Sequence, residues 1–174
     1  VGDEQTRLLA NCQGALNNLV ASALVTGGRF GELARLDVRD FDETNGSVFI
    51  AESKSGKPRH VPLPPGGVRL FVRLARGRPG TAPLLLNDEG GRWTISSYSR
   101  GFRSAVSNAE LESITFHELR HTYASAMVRA GVMLSIVAHA LGHSDTRMVE
   151  KHYGHLAPSY IADTIRRHAP DINI

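Results

Sequence analysis

One short part of the chain alternates apolar and polar residues as strands do, and segments with helical spacing lie on both sides of it. Residues 47–51 and 59–63 carry the alternation, and the loop 53–58 between them predicts a β-hairpin. Residues 3–24 instead place apolar side chains at the three- and four-residue intervals of a helix. A chain with a single hairpin cannot build a large sheet. We therefore expect a mostly α fold with a small antiparallel β-sheet (α+β).

Glycine, proline and threonine set the boundaries of the other predicted helices. Residues 27–28 end the first helix and Gly142 ends a late one, as glycine commonly does. Residues 64–67 are expected to break the pattern before the next helix, and Thr115 is expected to cap another. The predicted helices cover residues 3–24, 29–35, 68–76, 93–109, 116–129, 134–141, 146–153 and 158–167.

The composition fits one globular domain covering residues 1–174. Hydrophobic residues make up 41% of the chain and charged residues 21%, which argues against a disordered protein. No apolar run is long enough to span a membrane, no signal peptide opens the sequence, and the single Cys12 cannot form an internal disulfide. We therefore expect a cytoplasmic protein with no membrane partner.

Charge and the start of the chain give weaker indications. The net charge is +3 with histidine neutral, and eight histidines can raise it near a polyanion, so the balance permits DNA binding without demonstrating it. The sequence begins Val1-Gly2-Asp3 without a methionine. That start is typical of an excised domain or a processed product.

Six polar residues stand in short local patterns that suit one chemistry, the breaking and rejoining of a phosphodiester without a metal. This chemistry needs a nucleophile, an acid for the leaving group, and fixed positive charge around the phosphorus. Arginine supplies the charge, because its guanidinium stays protonated and donates two parallel hydrogen bonds to phosphate oxygens. The six candidates are Arg29, Lys54, His117, Arg120, His143 and Tyr153.

The arginines and the lysine occupy places where a cation can reach a phosphate. Arg29 and Arg120 each lie at the start of a predicted helix, where backbone N–H groups also favour an anion, and Glu32 is positioned to hold Arg29. Lys54 projects from the predicted hairpin turn and can protonate a departing 5′ oxygen, with Lys57 as the fallback. Taken singly, these patterns are equally typical of a surface ion pair or a solvated turn.

The histidines and the tyrosine complete the set. His117 and Arg120 are three residues apart and share a helix face, where His117 can accept a proton from an attacking hydroxyl or orient the phosphate. His143 follows Leu141-Gly142, where a helix stops and an imidazole can point into a pocket. Tyr153 is the candidate nucleophile, because a phenol is a better leaving group than an alcohol and its phosphate ester is readily reversed.

In this order the local patterns resemble the catalytic domain of tyrosine recombinases, the phage integrase family. The patterns are Gly28–Glu32, Ser53–Lys57, His117–His121, Leu141–Ser144 and His152–His155. The resemblance implies site-specific recombination of double-stranded DNA through a 3′-phosphotyrosyl intermediate, without metal or other cofactor, by a homo-tetramer in the prokaryotic nucleoid. It also implies a separate N-terminal DNA-binding segment outside this chain, and a tail at residues 156–174 that docks on a neighbouring protomer. Glu118 departs from the family pattern, where aspartate is usual.

Three alternatives remain open from the sequence. Residues 117–121 also spell H-E-x-x-H, the helical zinc pattern of metalloproteases, with Glu150 as a further ligand candidate. The zinc interpretation makes His121 essential, whereas the recombinase interpretation makes it nearly dispensable. The zinc interpretation also leaves Arg29 and Tyr153 without a role. The other two alternatives are a DNA-binding regulator that has lost catalysis and a type IB topoisomerase.

Overall fold

The structure is a computed structural model that describes residues 2–51, residues 57–156 and residue 167. Helices dominate these ranges, and one sheet of three short strands follows the third helix. The helices are α1 (Gly2–Asn11), α2 (Gly14–Thr26), α3 (Phe30–Leu33), α4 (Pro65–Ala75), α5 (Ile95–Asn108), α6 (Glu118–Arg129), α7 (Leu134–Leu141) and α8 (Arg147–Tyr153). The strands are β1 (Phe41–Asp42), β2 (Ser47–Ile50) and β3 (Arg59–Pro62), and 3-10 helices cover Val38–Asp40 and Gly154–Leu156. The expected mostly α fold with a small antiparallel sheet is confirmed.

The sheet is antiparallel, with strand order β1-β2-β3, and the predicted hairpin forms its larger part. Val48 on β2 pairs with Phe41 on β1 and with Val61 on β3, and all three side chains are buried. This apolar row specifies the register, because a one-residue slip would turn it toward solvent. A strand of two residues is too short to show an alternation of apolar and polar side chains, so the sequence does not predict β1.

The single helix expected at residues 3–24 is two helices, α1 and α2. The Asp88 carboxylate accepts the Ala15 N–H at 2.9 Å, and the Asn17 side chain donates to the Leu9 carbonyl at 2.7 Å. These bonds satisfy backbone groups that a continuous helix would have paired internally. Asp88 lies 73 residues from Ala15 along the chain, so the apolar spacing could not reveal the break.

Two predicted helix starts also differ from the structure. The sequence places a break at residues 64–67, but α4 begins at Pro65, because the first turn of a helix does not need the missing N–H. Thr115 does not cap α6 with its side chain; the helix begins after His117, and the Glu118 carboxylate accepts the Thr115 N–H. Helix α7 matches its prediction, and the helix predicted at residues 158–167 lies outside the described residues, apart from residue 167.

Two hydrophobic clusters form the core of the described residues. The larger cluster combines side chains of α1 to α5, the sheet and the segment leading into α6, and the smaller one combines α6, α7 and α8. Leu119 of α6 belongs to the larger cluster, while Ala124 and Val128 of the same helix belong to the smaller. Helix α6 therefore joins the two clusters, and the residues at its start lie at their boundary.

Two further features of the described residues are the environment of Cys12 and the lengths of the helices. Cys12 is buried, and burial raises the pKa of its thiol to about 11, so it packs as an apolar residue and is not a thiolate at neutral pH. No helix in the described ranges is both long enough and apolar enough to cross a bilayer.

Gly27→Ala is expected to destabilise the protein by about 2 kcal/mol or more. Gly27 ends α2 with φ +63°, and a Cβ there would lie 2.5 Å from Cδ1 of Tyr123 on α6. The matched control is Gly31→Ala, because Gly31 lies within α3 and an added Cβ would meet no atom within 4 Å. Urea unfolding followed by circular dichroism compares the two variants. Equal stability would contradict the close approach of α2 and α6.

Candidate active site

Arg29 is held by the short helix α3, which it precedes. Its backbone N–H donates to Glu32 Oε2 at 2.9 Å and its Nη1 donates to Oε1 at 3.0 Å, so Glu32 holds both the main chain and the guanidinium. The Glu32 side chain is buried, whereas 23% of the Arg29 side chain is exposed. Arg29 therefore presents a positioned positive charge that solvent can reach.

A second arginine, Arg59, lies on the other side of Glu32 and is almost completely buried. Its Nη2 donates to Glu32 Oε2 at 3.0 Å, and its Nε donates to the Ala140 carbonyl at 2.7 Å. Sequence reasoning missed Arg59, although a signal was present. Arg59 lies two residues from Val61 on β3, and the alternation of a strand places both on the buried face. A charged residue at such a position indicates a buried partner.

The Glu32 carboxyl stays ionised well below neutral pH. Burial raises its pKa, but hydrogen bonds from the Arg59 side chain and the Arg29 backbone, with the charges of both arginines, outweigh burial and lower the pKa to about 2. The three residues, called the arginine–glutamate triad below, connect α3, the hairpin and the end of α7.

Arg120, the third residue of α6, is a buried guanidinium that contacts two other parts of the chain. Its Nη1 donates to the Gly27 carbonyl at 2.9 Å, and its Nη2 donates to the Leu141 carbonyl at 2.6 Å and to Nε2 of His143 at 3.0 Å. Burial and the charge of Arg29 lower the pKa of Arg120 to about 10, so it remains charged at neutral pH. Arg120 thereby ties the ends of α2 and α7 to α6.

His143 follows the glycine that ends α7. Gly142 has φ +72°, and an added Cβ would lie 2.6 Å from Nη1 of Arg59, so a larger side chain does not fit the turn that directs His143 to Arg120. Burial lowers the pKa of His143, and the charges of Arg120 and Arg29 lower it further. A neutral imidazole that accepts the Arg120 bond at Nε2 carries its proton on Nδ1 and can donate it to another group.

His117 and Tyr153 both lie beside His121, which the recombinase interpretation of the sequence made nearly dispensable. His117 precedes α6, and burial and the charges of Arg120 and Arg29 lower its pKa. Tyr153 ends α8 and is buried, and its hydroxyl is hydrogen-bonded to Nδ1 of His121. The His121 ring stands edge-on to His117, with ring centroids 5.0 Å apart. His121, expected to be nearly dispensable, is thus in direct contact with the candidate nucleophile.

Of the two candidate acids, Lys54 lies outside the described residues and Lys57 is exposed. The Lys57 N–H donates to the Gly142 carbonyl at 3.2 Å, so the hairpin returns beside the turn that carries His143. The structure therefore brings together five of the six candidates predicted from the sequence. They are Arg29, His117, Arg120, His143 and Tyr153.

The zinc interpretation gains no third ligand from the part of the chain that the structure describes. In that part, no three His, Cys, Asp or Glu side chains are arranged to hold a metal ion. The Glu150 carboxylate accepts a hydrogen bond from Thr146 at 2.6 Å, and Nδ1 of His121 is bonded to Tyr153. Of the two histidines in the H-E-x-x-H pattern, His121 therefore has Tyr153 as its partner, and His117 stands edge-on to His121.

Sequence comparison identifies a family. A sequence model of the phage integrase family matches residues 2–159 of the chain. The tyrosine recombinase XerC of Pelobacter propionicus is 35% identical over 136 residues, which cover 76% of this chain and 44% of that relative. The chain spans about half the length of the curated relatives it matches.

Solved structures share the fold. The catalytic domain of bacteriophage HP1 integrase superposes with a TM-score of 0.74 at 29% identity, over 96% of this chain and 92% of that one. The Tn1549 transposon integrase, solved in complex with circular intermediate DNA, gives a TM-score of 0.75 at 22% identity, over 93% of this chain and 64% of that one. The similarity to the HP1 domain extends over nearly the whole of both chains.

Glu32→Gln is expected to destabilise the fold by roughly 3 kcal/mol at neutral pH, because it removes the charge that pairs with Arg29 and Arg59. The carboxyl pKa is ordinarily 4.5 and falls to about 2 in the fold, so this stabilisation is complete above pH 4.5 and is lost as the pH falls toward 2. Between pH 4.5 and pH 2, the free energy of unfolding of the variant should therefore lack the decrease that protonation of Glu32 causes in the wild type. Urea unfolding at a series of acidic pH values measures this difference.

The control for this experiment is Asp3→Asn, which removes an exposed carboxylate paired with Arg7. Exposed pairs contribute about 0–1 kcal/mol, so the control should stay close to the wild type. A Glu32→Gln protein with wild-type stability and an unchanged acid profile would contradict the pairing within the triad.

Proposed function

Because this chain belongs to the phage integrase family, we propose that it cleaves and rejoins DNA at specific sites through a covalent 3′-phosphotyrosyl bond to Tyr153, without a metal ion. The observation that carries the proposal is the position of the Arg120 guanidinium. It donates a hydrogen bond to His143, and its charge opposes the rise that burial causes in the pKa of the Tyr153 hydroxyl. The relatives support DNA as the substrate, since XerC is named a tyrosine recombinase and the Tn1549 integrase was solved in complex with DNA.

The positive groups bind the phosphate and stabilise the transition state. Attack adds a fifth oxygen to the phosphorus and concentrates negative charge on the non-bridging oxygens, which fixed cations in a partly buried site stabilise. We assign this role to Arg29, held by Glu32, and to Arg120, held by backbone carbonyls. His117 and His143 lie in the electrostatic field of both arginines and donate to the remaining oxygens.

In cleavage, the Tyr153 oxygen attacks the phosphorus and the bond to the 5′ oxygen breaks. The phenol loses its proton and the departing 5′ oxygen gains one, which leaves a 3′-phosphotyrosine and a free 5′ hydroxyl. We assign the acid to Lys54, in the loop that the sequence predicts, with Lys57 as the alternative. In rejoining, a 5′ hydroxyl of the partner strand attacks the phosphotyrosine. The attacking hydroxyl gives its proton back to the lysine, and the departing tyrosine oxygen regains the proton that it lost in cleavage.

The assembly belongs to the same proposal. Exchange between two DNA duplexes requires four strand cleavages, and four copies of Tyr153 are supplied by a homo-tetramer. Residues 1–174 form the catalytic domain of each protomer, and the tail at residues 156–174 docks on a neighbour. Of that tail, the structure describes residues 156 and 167.

Tyr153→Phe is expected to abolish covalent attachment to DNA and to leave the fold intact, because a single hydroxyl is removed. The probe is a nicked DNA duplex of randomised sequence in excess EDTA. Adducts are separated on a denaturing gel and located by peptide mass spectrometry. The control Tyr98→Phe should behave as the wild type, since Tyr98 packs against Phe30 and Phe116 in the larger cluster. The proposal would be refuted if the Tyr153→Phe protein formed a DNA adduct, or if the wild-type protein needed a metal ion to form one.

Arg120→Lys is expected to slow adduct formation by about 10²–10³-fold. Lysine keeps the charge but cannot donate in one plane to the Gly27 carbonyl, the Leu141 carbonyl and His143. The rate is measured on the DNA recovered by covalent capture, and thermal unfolding checks that the variant is folded. Arg103→Lys, at an exposed position of α5, is the matched control. A folded Arg120→Lys protein with the wild-type rate would refute this role.

A further inference from the structure

The Tyr153 hydroxyl has one side-chain hydrogen-bond partner in the described part of the chain, and that partner is His121. The two residues come from different elements, because His121 is the fourth residue of α6 and Tyr153 is the last residue of α8. Tyr153 is buried in the smaller hydrophobic cluster, and His121 is half-buried beside it. The packing of α8 against α6 therefore determines which group meets the phenol.

The surroundings of His121 favour a neutral imidazole. Burial lowers its pKa, the neighbouring cationic groups lower it further, and a single carboxylate opposes them. The titratable groups around the ring are His117, Glu118, Arg120, His152 and Tyr153. A neutral imidazole has one nitrogen that accepts a hydrogen bond, and when the phenol donates in its contact with His121 that nitrogen is Nδ1.

The phenol requires a proton acceptor. Burial raises the pKa of Tyr153 and the charge of Arg120 only partly opposes that rise, so the hydroxyl is protonated at neutral pH. It must lose this proton as its bond to phosphorus forms, since a protonated phenol is a weak nucleophile. His117 is the acceptor that the sequence indicated, but in the described part of the chain the phenol is hydrogen-bonded to His121, and the ring of His117 stands edge-on to that of His121.

We propose that His121 is a further catalytic residue, whose Nδ1 takes the proton of the Tyr153 hydroxyl during cleavage. This inference rests on the proposed function. The tyrosine oxygen bonds to phosphorus and its proton moves to Nδ1. The bond between phosphorus and the 5′ oxygen breaks as Lys54, or Lys57 as the alternative, protonates that oxygen. His121 is then an imidazolium, and in rejoining it returns the proton to the departing tyrosine oxygen.

His121→Asn separates proton transfer from positioning. The asparagine oxygen can accept the hydrogen bond of the phenol near the position of Nδ1, but it cannot take the proton. We expect the folded variant to form the Tyr153 adduct about 10²–10⁴-fold more slowly than the wild type. The wild-type rate should fall as acidic pH protonates His121, and the variant should lack this fall.

A DNA substrate with sulfur in place of the bridging 5′ oxygen makes the assignment specific. A thiolate leaves without being protonated, so this substrate restores variants that lack the leaving-group acid, and it should not restore His121→Asn. The protein is the full chain, and the DNA is the sequence recovered by covalent capture. His139→Asn, at an exposed position of α7, is the control and should match the wild type in rate and pH profile.

His121→Ala gives a second readout, because imidazole in the buffer should raise its rate by replacing the lost acceptor. A His121→Asn protein with the wild-type rate and pH profile, recovery on the sulfur substrate, or a His121→Ala protein that does not respond to imidazole would each overturn the role of His121. These results leave the proposed function standing. A wild-type protein that forms no adduct at Tyr153 would overturn the proposed function, and the role of His121 with it.

Discussion

The pairing of the buried Glu32 carboxylate with two guanidinium groups is the interaction on which the candidate active site depends. Neither Glu32 nor Arg59 tolerates burial alone, because an unpaired buried charge costs roughly several kcal/mol, so their pairing couples α3, the hairpin and the end of α7. Arg120 extends the coupling through neutral partners, the backbone carbonyls that end α2 and α7. Arg29 and Arg120, the two candidate phosphate ligands, are therefore held in place before any substrate binds. This is the condition for electrostatic preorganisation.

The features that the sequence predicted are those that depend on nearby residues. Alternation gave the hairpin, and a left-handed glycine marked the end of α7 at Gly142, which placed His143 directly after it. Helical spacing placed His117 and Arg120 on one face, and the order of the motifs, compared with a known family, indicated that Arg29 and Tyr153 belong with them. None of these inferences needs the distance between two elements.

The features that the sequence did not predict depend on contacts between distant segments. The break between α1 and α2 is satisfied by Asp88, and the importance of Arg59 becomes apparent once α7 and α3 pack around it. His121 is the clearest case. Its spacing from His117 suggested either a metal ligand or a residue with little effect on catalysis. The packing of α8 against α6 instead gives it Tyr153 as a hydrogen-bond partner.

The unequal size of the two hydrophobic clusters has a consequence for how this protein would lose activity. Tyr153 packs in the smaller cluster of α6 to α8, whereas the helix that Arg29 precedes packs in the larger one. Local unfolding of a small cluster requires less free energy than unfolding of the whole domain. Transient detachment of α7 and α8 would thus separate the candidate nucleophile Tyr153 from the candidate phosphate ligand Arg29 while most of the helices stay folded. The proposed DNA cleavage would then disappear on warming before the helical signal does.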